Sequence, residues 1–254
     1  TAAAEAAPRT SLSDVLAEEQ NSMFDLSELP PYEAEVGEIG VDGELRVAIV
    51  ETPEAGAQRA AARPLPRAPI AGLTERGPNG PLPIVAADGR RPAQAYARPF
   101  TADPNRPMIA IVIGGLGFNA RATQQAIDEL PANVTLSFVP YATNLQTWID
   151  RARARGHEVL RELPMEPFDT EADDTGPQAL LSTLSAQQNI TRLELLLSRG
   201  TGYFGVTNYQ GARFATSAQA SQPVVQQLRL SGLVLVSSGI GQRTALSVEA
   251  GLAG

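Results

Sequence analysis

The chain has 254 residues, a formal net charge of -8 and no cysteine. That length suits one domain of good size or a smaller domain with a long tail. The lack of thiols excludes disulfides, thiolate metal sites and cysteine nucleophiles. No run of about 18 apolar residues occurs, so the sequence predicts no membrane span. Because the chain begins at Thr1 without a basic and apolar leader, removal of an N-terminal signal or anchor stays open as an interpretation.

The charges divide the chain into three parts. Residues 1–54 carry a net charge of -11, residues 55–107 carry +5, and residues 108–254 carry -2. The arginines of the middle part are spread between prolines with few aromatic side chains among them, which is a weak pattern for nucleic-acid binding. We therefore predict a solvated, extended tail and linker, and no nucleic-acid partner.

Residues 1–105 are rich in Ala, Pro, Gly and Glu. Such segments bury too little apolar surface to offset the entropy of ordering them. The sequence thus predicts a mostly disordered region over 1–105, an acidic tail followed by a Pro/Arg-rich linker. Two short segments differ: Ser11–Glu19 has the composition of a helical turn or two, and Glu44–Glu51 has the β-branched run of a lone strand.

From Met108 onward, apolar runs of strand length alternate with segments of helical spacing. The predicted strands are 108–113, 134–139, 158–163, 203–207 and 233–236, and the predicted helices are 119–130, 144–155, 185–199 and 217–231. Strands that are apolar throughout, with helical crossovers between them, predict a parallel sheet covered on both faces. A full eight-unit barrel needs about 250 residues, and 147 follow position 107. A barrel, if the sheet curls into one, would therefore be incomplete.

Five segments of this region form a set with a fixed order and spacing. They are IAIVIGGLGFN at 109–119, VTLSFVPYA at 134–142, GHEVLRELPMEP at 156–167, GPQALL at 176–181 and GVTNYQGARF at 205–214. Together they resemble the divergent polysaccharide deacetylases, a bacterial envelope family. The resemblance covers about residues 106–250 and none of the tail. It implies an α/β domain over 106–254 with a distorted, incomplete (β/α) barrel, located in the periplasm or cell envelope of a bacterium.

The resemblance also marks where the family carries its metal and catalytic groups. The first strand would end in two acidic residues, where this chain has Gly114 and Gly115. A histidine before Leu-Pro-Met is replaced by Glu162, and the histidine of an Asn-Asn-His-type turn is replaced by Tyr209. An aspartate at the end of the fifth strand is replaced by Ser237.

These replacements matter because metal-dependent deacetylation uses a divalent ion, such as zinc, to polarise the acetyl carbonyl and activate a water. Such an ion needs about three protein ligands, and the water needs a general base nearby. Glycine supplies neither, and a tyrosine with a pKa of about 10 is a poor ligand. We therefore predict no bound metal or other cofactor, no catalytic residue, and a non-catalytic relative of the family, a pseudoenzyme in carbohydrate metabolism.

The same positions predict a binding site, because folds of this kind place their sites at the C-terminal ends of the strands. The residues expected to line it are Glu162, Asn208, Tyr209 and Arg213. Amide and aromatic groups suit a sugar, so the expected partner is an envelope glycan or, at the same site, a protein. Two alternatives stay open: an active metal-dependent deacetylase that uses other ligands, and an adaptor that acts through its N-terminal tail.

Three other patterns are interpreted as structural. His157, the single histidine, lies at the entrance of a strand. Residues 115–120 fit the dinucleotide-binding pattern G-x-G-x-x-A, but no acidic residue ends the second strand to hold the ribose. The acidic residues of 166–174 lack the spacing and the central glycine of a calcium-binding EF-hand loop, which favours a solvated loop.

Overall fold

A computed structural model describes residues 35–39, 45–49, 63–101, 105, 107–171, 173–239, 244–246 and 248. The chain divides into two compact units, Thr1–Gln58 and Arg59–Gly254. None of the helices in the described part of the chain has the length and apolarity needed to cross a bilayer. The segment predicted as a helical turn at 11–19 lies outside the described residues.

The first unit contains a β-hairpin. Strand β1 (Glu35–Ile39) pairs antiparallel with β2 (Leu45–Ile49), with Glu35 opposite Ile49 and Ile39 opposite Leu45. The predicted strand at 44–51 is therefore present, but it is not alone as we expected. The dipeptide Asp42-Gly43 between the two strands is a common hairpin signal that points to the missing partner.

The second unit begins with a segment that we call the N-terminal arm, residues 63–101. It contains a hairpin of β3 (Thr74–Gly77) and β4 (Gly80–Pro83) and the short helix α1 (Pro92–Ala95). Leu73, Ala86 and Tyr96 are buried together in a small apolar cluster. The sequence predicted a mostly disordered region up to residue 105. The structure differs over the arm, which forms ordered elements and a buried cluster.

Arg153 provides the physical reason for the order of the arm. Its guanidinium donates hydrogen bonds of 2.9–3.0 Å to the carbonyl oxygens of Pro66, Tyr96 and Gly202 and lies 5.0 Å from the ring centroid of Tyr96. A buried cation satisfied by distant carbonyl groups supplies the ordering free energy that the arm's own Pro- and Ala-rich composition lacks.

The rest of the second unit is built on a five-stranded parallel sheet, with the strands in the sequence order β5-β6-β7-β8-β9. The strands are β5 (Val112–Leu116), β6 (Thr135–Phe138), β7 (Val159–Met165), β8 (Gly205–Gln210) and β9 (Val234–Val236). The connecting helices are α2 (Ala120–Glu129), α3 (Leu145–Ala154), α4 (Ala186–Leu197) and α5 (Ala218–Leu230).

The helices begin where polar side chains satisfy free backbone N–H groups. Asn119 and Ser217 accept hydrogen bonds from the N–H groups of Ala122 and Ala220 at the starts of α2 and α5. Ser185 and Gln188 form the capping box at the start of α4 that the sequence predicts. The apolar faces of the four helices pack on one side of the sheet in the main core.

The strand order explains why the helices share one side. Right-handed crossovers between strands in simple sequential order carry every helix to the same face, as in a (β/α) barrel. The other face of the sheet is the interior of the barrel. The expectation that helices cover both faces of the sheet is therefore wrong. The α/β class and the incomplete (β/α) barrel are confirmed.

Three strands differ in extent from their prediction. Strand β8, predicted at 203–207, covers Gly205–Gln210 and so includes Asn208 and Tyr209. Strand β5 starts at Val112 and includes Gly114 and Gly115, which we expected to close it. Strand β7 runs through Pro164 to Met165. Beyond the end of β6, Leu180 takes the place of a neighbouring strand, donating its N–H to the Pro164 carbonyl at 2.9 Å. A proline is tolerated there because the regular ladder on that side has already ended.

Candidate functional site

Glu162 lies near the C-terminal end of β7 on the interior face of the sheet, and 4% of its surface is exposed. Its Oε1 accepts a hydrogen bond of 2.6 Å from the N–H of Gly115 on β5. A Cβ atom placed on Gly114 would lie 2.8 Å from the same oxygen. The carboxylate therefore fills the space beside the end of β5 into which a side chain at position 114 would project.

The second oxygen of this carboxylate has no hydrogen-bond partner. Glu162 Oε2 and the hydroxyl oxygen of Ser137 on β6 are both buried and unbonded in the described part of the protein. Burial raises the pKa of Glu162 to about 6, while the Gly115 N–H and the nearby Ser137 hydroxyl oppose this shift. Ser137 is thus close enough to lower the pKa of the carboxyl group, although the two do not meet in hydrogen-bond geometry.

Tyr209, on β8, is half-buried on the same face as Glu162. Its ring centroid lies 6.2 Å from that of Phe118, with 55° between the ring planes, and Phe118 is 60% exposed. Burial raises the pKa of the Tyr209 hydroxyl, and the negative charges of Glu162, Asp173 and Asp174 raise it further. The hydroxyl therefore stays protonated at neutral pH beside an acidic group of side chains.

Asn208 points to the opposite face of β8 and joins two segments of backbone. Its Nδ2 donates to the Ser238 hydroxyl and to the Gln210 carbonyl, each at 2.8 Å, and its Oδ1 accepts from the Ser238 N–H at 2.9 Å. These bonds hold the segment after β9 against β8. We expected the Asn208 amide to lie beside Glu162. In the structure the two side chains lie on opposite faces of the sheet.

Arg213 and Ser237 also lie apart from the Glu162 carboxylate. The guanidinium of Arg213 lies 3.9 Å from Glu166, a buried carboxylate that also accepts hydrogen bonds from the N–H and the hydroxyl of Ser182. Ser237 is exposed, and its hydroxyl accepts a hydrogen bond of 3.4 Å from the Gly239 N–H. Of the predicted lining residues, Glu162 and Tyr209 share the interior face, with Gly114 and Gly115 beside them.

Two residues at this site were missed by the sequence analysis. Ser137 is one of two polar residues in β6 and is fully buried, and the strand register places it on the face of Glu162. Polar residues at alternating positions of a strand, here Thr135 and Ser137, are a signal that could have identified it. Phe118 follows directly after the glycine-rich end of β5, but its proximity to Tyr209 depends on the fold.

His157 lies at the other end of β7 and is 1% exposed. Its Nδ1 is 2.9 Å from the carbonyl oxygen of Val134, and its Nε2 is 3.2 Å from that of Ile127. Both ring nitrogens are therefore used in joining β6, α2 and β7. This arrangement agrees with the structural role that we predicted for the single histidine.

The glycine pattern after β5 is explained by packing. A Cβ atom at Gly117, whose φ is +105°, would lie 2.4 Å from the Cβ atom of Ala142. The Gly117 N–H donates to the hydroxyl of Thr123 at 2.8 Å, so this donor is already used inside the protein. Packing and this hydrogen bond therefore explain why position 117 is glycine, and a phosphate-binding role of the G-x-G-x-x-A pattern is not needed to explain it.

The acidic loop after β7 lies beside the candidate site. Asp173 accepts a hydrogen bond of 3.0 Å from the side-chain amide of Gln210, and Asp174 accepts one of 2.8 Å from the Gly176 N–H. Among the residues that the structure describes, no three His, Asp or Glu side chains come together as they would around a metal ion. The loop contributes negative charge next to Tyr209.

The fold and the site define the chain as an α/β protein with a (β/α)-barrel sheet and a carboxylate at the C-terminal strand ends. Residues 111–254 match the model of the family described as divergent polysaccharide deacetylase, and the chain belongs to that family.

Two relatives extend this assignment. The uncharacterized protein YibQ of Escherichia coli (strain K12) is 23% identical over 148 residues, which cover 56% of this chain and 44% of YibQ. The chain thus spans less than half the length of that relative. The crystal structure of the uncharacterized protein ATU2773 from Agrobacterium tumefaciens C58 matches with a TM-score of 0.65 and 39% identity, covering 68% of this chain and 70% of the other.

The family implies a divalent metal, and the residues at the expected positions do not fit one. Gly114 and Gly115 have no side-chain ligand atoms, and the backbone N–H of Gly115 is a donor already bound to Glu162. Tyr209 keeps its proton, because burial and three acidic side chains raise its pKa. One carboxylate remains, short of the about three protein ligands that a catalytic zinc site uses.

Proposed function

We propose that this chain is a non-hydrolytic, glycan-binding module of the bacterial cell envelope. The observation that carries the proposal is the position of the Glu162 carboxylate against Gly114 and Gly115. It fills the side-chain space of Gly114, one of the two positions at the end of β5 where the family resemblance places an acidic residue. A carboxylate bonded to backbone thus stands where metal-binding side chains are expected.

This arrangement argues against acyl hydrolysis for a chemical reason. Glu162, with a pKa near 6, is able to accept a proton from a water near neutral pH. Hydrolysis of an amide also requires an electrophilic group that stabilises the negative oxygen of the tetrahedral intermediate. At the candidate site the negative charges of Glu162, Asp173 and Asp174 act on the Tyr209 hydroxyl, and they disfavour a negative oxygen that would form beside it.

The same groups suit the binding of a sugar chain. Phe118 presents an exposed ring next to Tyr209, and aromatic faces pack against the apolar C–H faces of sugar rings. Glu162 Oε2 and the Ser137 hydroxyl are buried, unbonded polar groups on the same face of the sheet as Tyr209. Sugar hydroxyl or amino groups are donors that would satisfy them.

The proposal is tested by measuring binding and hydrolysis on the same substrates. The full chain is mixed with N-acetylglucosamine oligomers and peptidoglycan fragments, with and without Zn²⁺, Co²⁺, Mn²⁺ or Ni²⁺. We expect binding by calorimetry and no acetate above the protein-free control. Tyr209→Ala should weaken binding, whereas Phe100→Ala, which removes an exposed aromatic ring from the N-terminal arm, should not.

Two outcomes would overturn the proposal. Stoichiometric metal retained after dialysis, together with acetate release that depends on it, would establish an active deacetylase with other ligands. Failure of every glycan to bind the folded chain would remove the binding function. The envelope location is tested separately by fractionating cells that express the native gene, and a cytoplasmic signal would contradict it.

A further inference from the structure

Among the residues that the structure describes, the candidate site is acidic and no cation pairs with its carboxylates. Glu162, Asp173 and Asp174 each act on the Tyr209 hydroxyl as negative charges. The ion pairs formed within the described part of the chain involve other carboxylates, namely Asp88, Asp128 and Glu166. The arginine that follows β8, Arg213, is held at Glu166. A ligand entering this site therefore meets a concentration of negative charge.

Two polar groups of the site are buried without a hydrogen-bond partner, and the carboxylate oxygen among them can only accept a hydrogen bond. Glu162 is 96% buried, since 4% of its surface is exposed, and Oε2 has no partner. The Ser137 hydroxyl beside it is fully buried and also unbonded. A buried carboxylate oxygen without a donor is costly, and an entering donor with positive charge relieves that cost most effectively.

The two common forms of an amino sugar differ at this point. An acetamido group offers one N–H donor and a carbonyl oxygen, which is repelled by neighbouring carboxylates. A free amino group in its ammonium form offers three N–H donors and a positive charge. The Gly114 side of Glu162 is filled by its own Oε1, but a Cβ position on Gly115 has nothing within 4 Å, and this open space on β5 is where a small ammonium group can approach.

We propose that this site selects glycans with free amino groups, the product of deacetylation, over the N-acetylated substrate. The inference rests on the proposed glycan-binding function and assigns its ligand class. The module would bind the product of the deacetylation reaction after which its family is named. A carboxylate would contact this product at the place where the reaction would require a metal ion. Glu162 is the selecting residue, and Asp173 and Asp174 add to the charge at the entrance.

The experiment compares a glucosamine tetramer with an N-acetylglucosamine tetramer at neutral pH, using calorimetry on the full chain. We expect the free-amine tetramer to bind at least about tenfold more tightly, the size of one charge-assisted hydrogen bond. Glu162→Gln should remove most of this preference. Glu129→Gln, which removes an exposed carboxylate at the far end of α2, should keep it.

The outcomes separate the two proposals. Equal affinity for the two tetramers, or tighter binding of the acetylated one, overturns the selection for amines and leaves the glycan-binding function standing. Binding of neither tetramer, or of a lysine-rich peptide alone, overturns both. Should Glu162→Gln fail to fold by thermal melting, Asp173→Asn in the loop is the second variant, and it should lower the preference in the same direction.

Discussion

Gly114 and Glu162 share one small volume, although 48 positions separate them in the sequence. A Cβ atom on Gly114 would lie 2.8 Å from the Glu162 Oε1 atom, which is held there by the Gly115 N–H at 2.6 Å. The absence of a side chain at position 114 therefore leaves room for the glutamate side chain at position 162, and the residue types at the two positions depend on each other. This coupling has consequences for stability that do not depend on any ligand.

The first prediction concerns that coupling. Gly114→Ala should lower the free energy of unfolding by about 1–3 kcal/mol, because the new methyl group displaces the carboxylate from its bond to Gly115. The backbone of Gly114 is outside the left-handed region, so alanine causes no strain of its own. In a Glu162→Ala background the same change should be neutral or stabilising by about 0.4–1 kcal/mol. Urea unfolding of the four proteins measures the coupling.

Gly115→Ala is the matched control for this cycle. Gly115 has a φ of +73°, and a Cβ atom there would have nothing within 4 Å. Its cost of about 1–2 kcal/mol comes from backbone strain alone, so it should be the same with and without the Glu162 carboxylate. A coupling energy near zero between positions 114 and 162 would contradict the steric explanation.

The second prediction concerns pH. Burial raises the pKa of Glu162 from 4.5 to about 6, so the folded state binds this proton more tightly than the unfolded state does. Above pH 6 the carboxylate is charged in both states and destabilises the fold by about 2 kcal/mol, the 1.5-unit shift multiplied by 1.36 kcal/mol per unit. This destabilisation is lost as the pH falls from 6 to 4.5.

Glu162→Gln isolates this contribution, because the amide does not titrate. The stability of the wild type relative to this variant should rise by about 2 kcal/mol between pH 7.5 and pH 4.5. Chemical denaturation at a series of pH values measures the difference, in which the titration of other groups cancels. A difference that stays constant, or that falls as the pH is lowered, would show that the carboxyl group is not buried as described.

The alternation of strands and helices after residue 107 could be read from the sequence because each element has its own local pattern. Capping at Ser185 and the apolar run at 134–139 are examples. The limits of β7 could not be read in this way, because proline normally ends a strand and Pro164 does not. The strand tolerates Pro164 because Leu180, which lies outside the regular ladder, donates its N–H to the Pro164 carbonyl.

The candidate site was predicted only in part, because strand order and side-chain direction decide which polar residues meet. Glu162 and Tyr209 were found through a resemblance that marks their positions. Asn208 was expected beside them, but it is adjacent to Tyr209 in a strand and therefore points to the other face. Ser137 was missed because its neighbours across the sheet are set by the register of β6 and β7.

The third prediction concerns Gly117. Gly117→Ala should destabilise the protein by about 2–5 kcal/mol, because the new Cβ atom meets Ala142 at 2.4 Å and the φ of +105° is strained for alanine. Gly89→Ala has a similar backbone cost at a φ of +84°, but nothing lies within 4 Å of its Cβ position. It should cost about 1–2 kcal/mol. Thermal unfolding of both variants compares them, and equal costs would contradict the packing explanation.

The fourth prediction concerns the N-terminal arm. Arg153→Met keeps the length and apolar stem of the side chain but leaves the carbonyl groups of Pro66, Tyr96 and Gly202 without their donor. We expect a loss of about 3 kcal/mol or more and faster proteolysis within residues 63–101. Arg155→Met is the control, because Arg155 is mostly exposed and pairs with Asp128 at the surface, where an ion pair contributes about 0–1 kcal/mol. Limited proteolysis with mass spectrometry locates the first cleavage site. If the arm of Arg153→Met resists proteolysis as well as the wild-type arm does, the apolar cluster at Leu73 and Tyr96 holds the arm in place without the arginine.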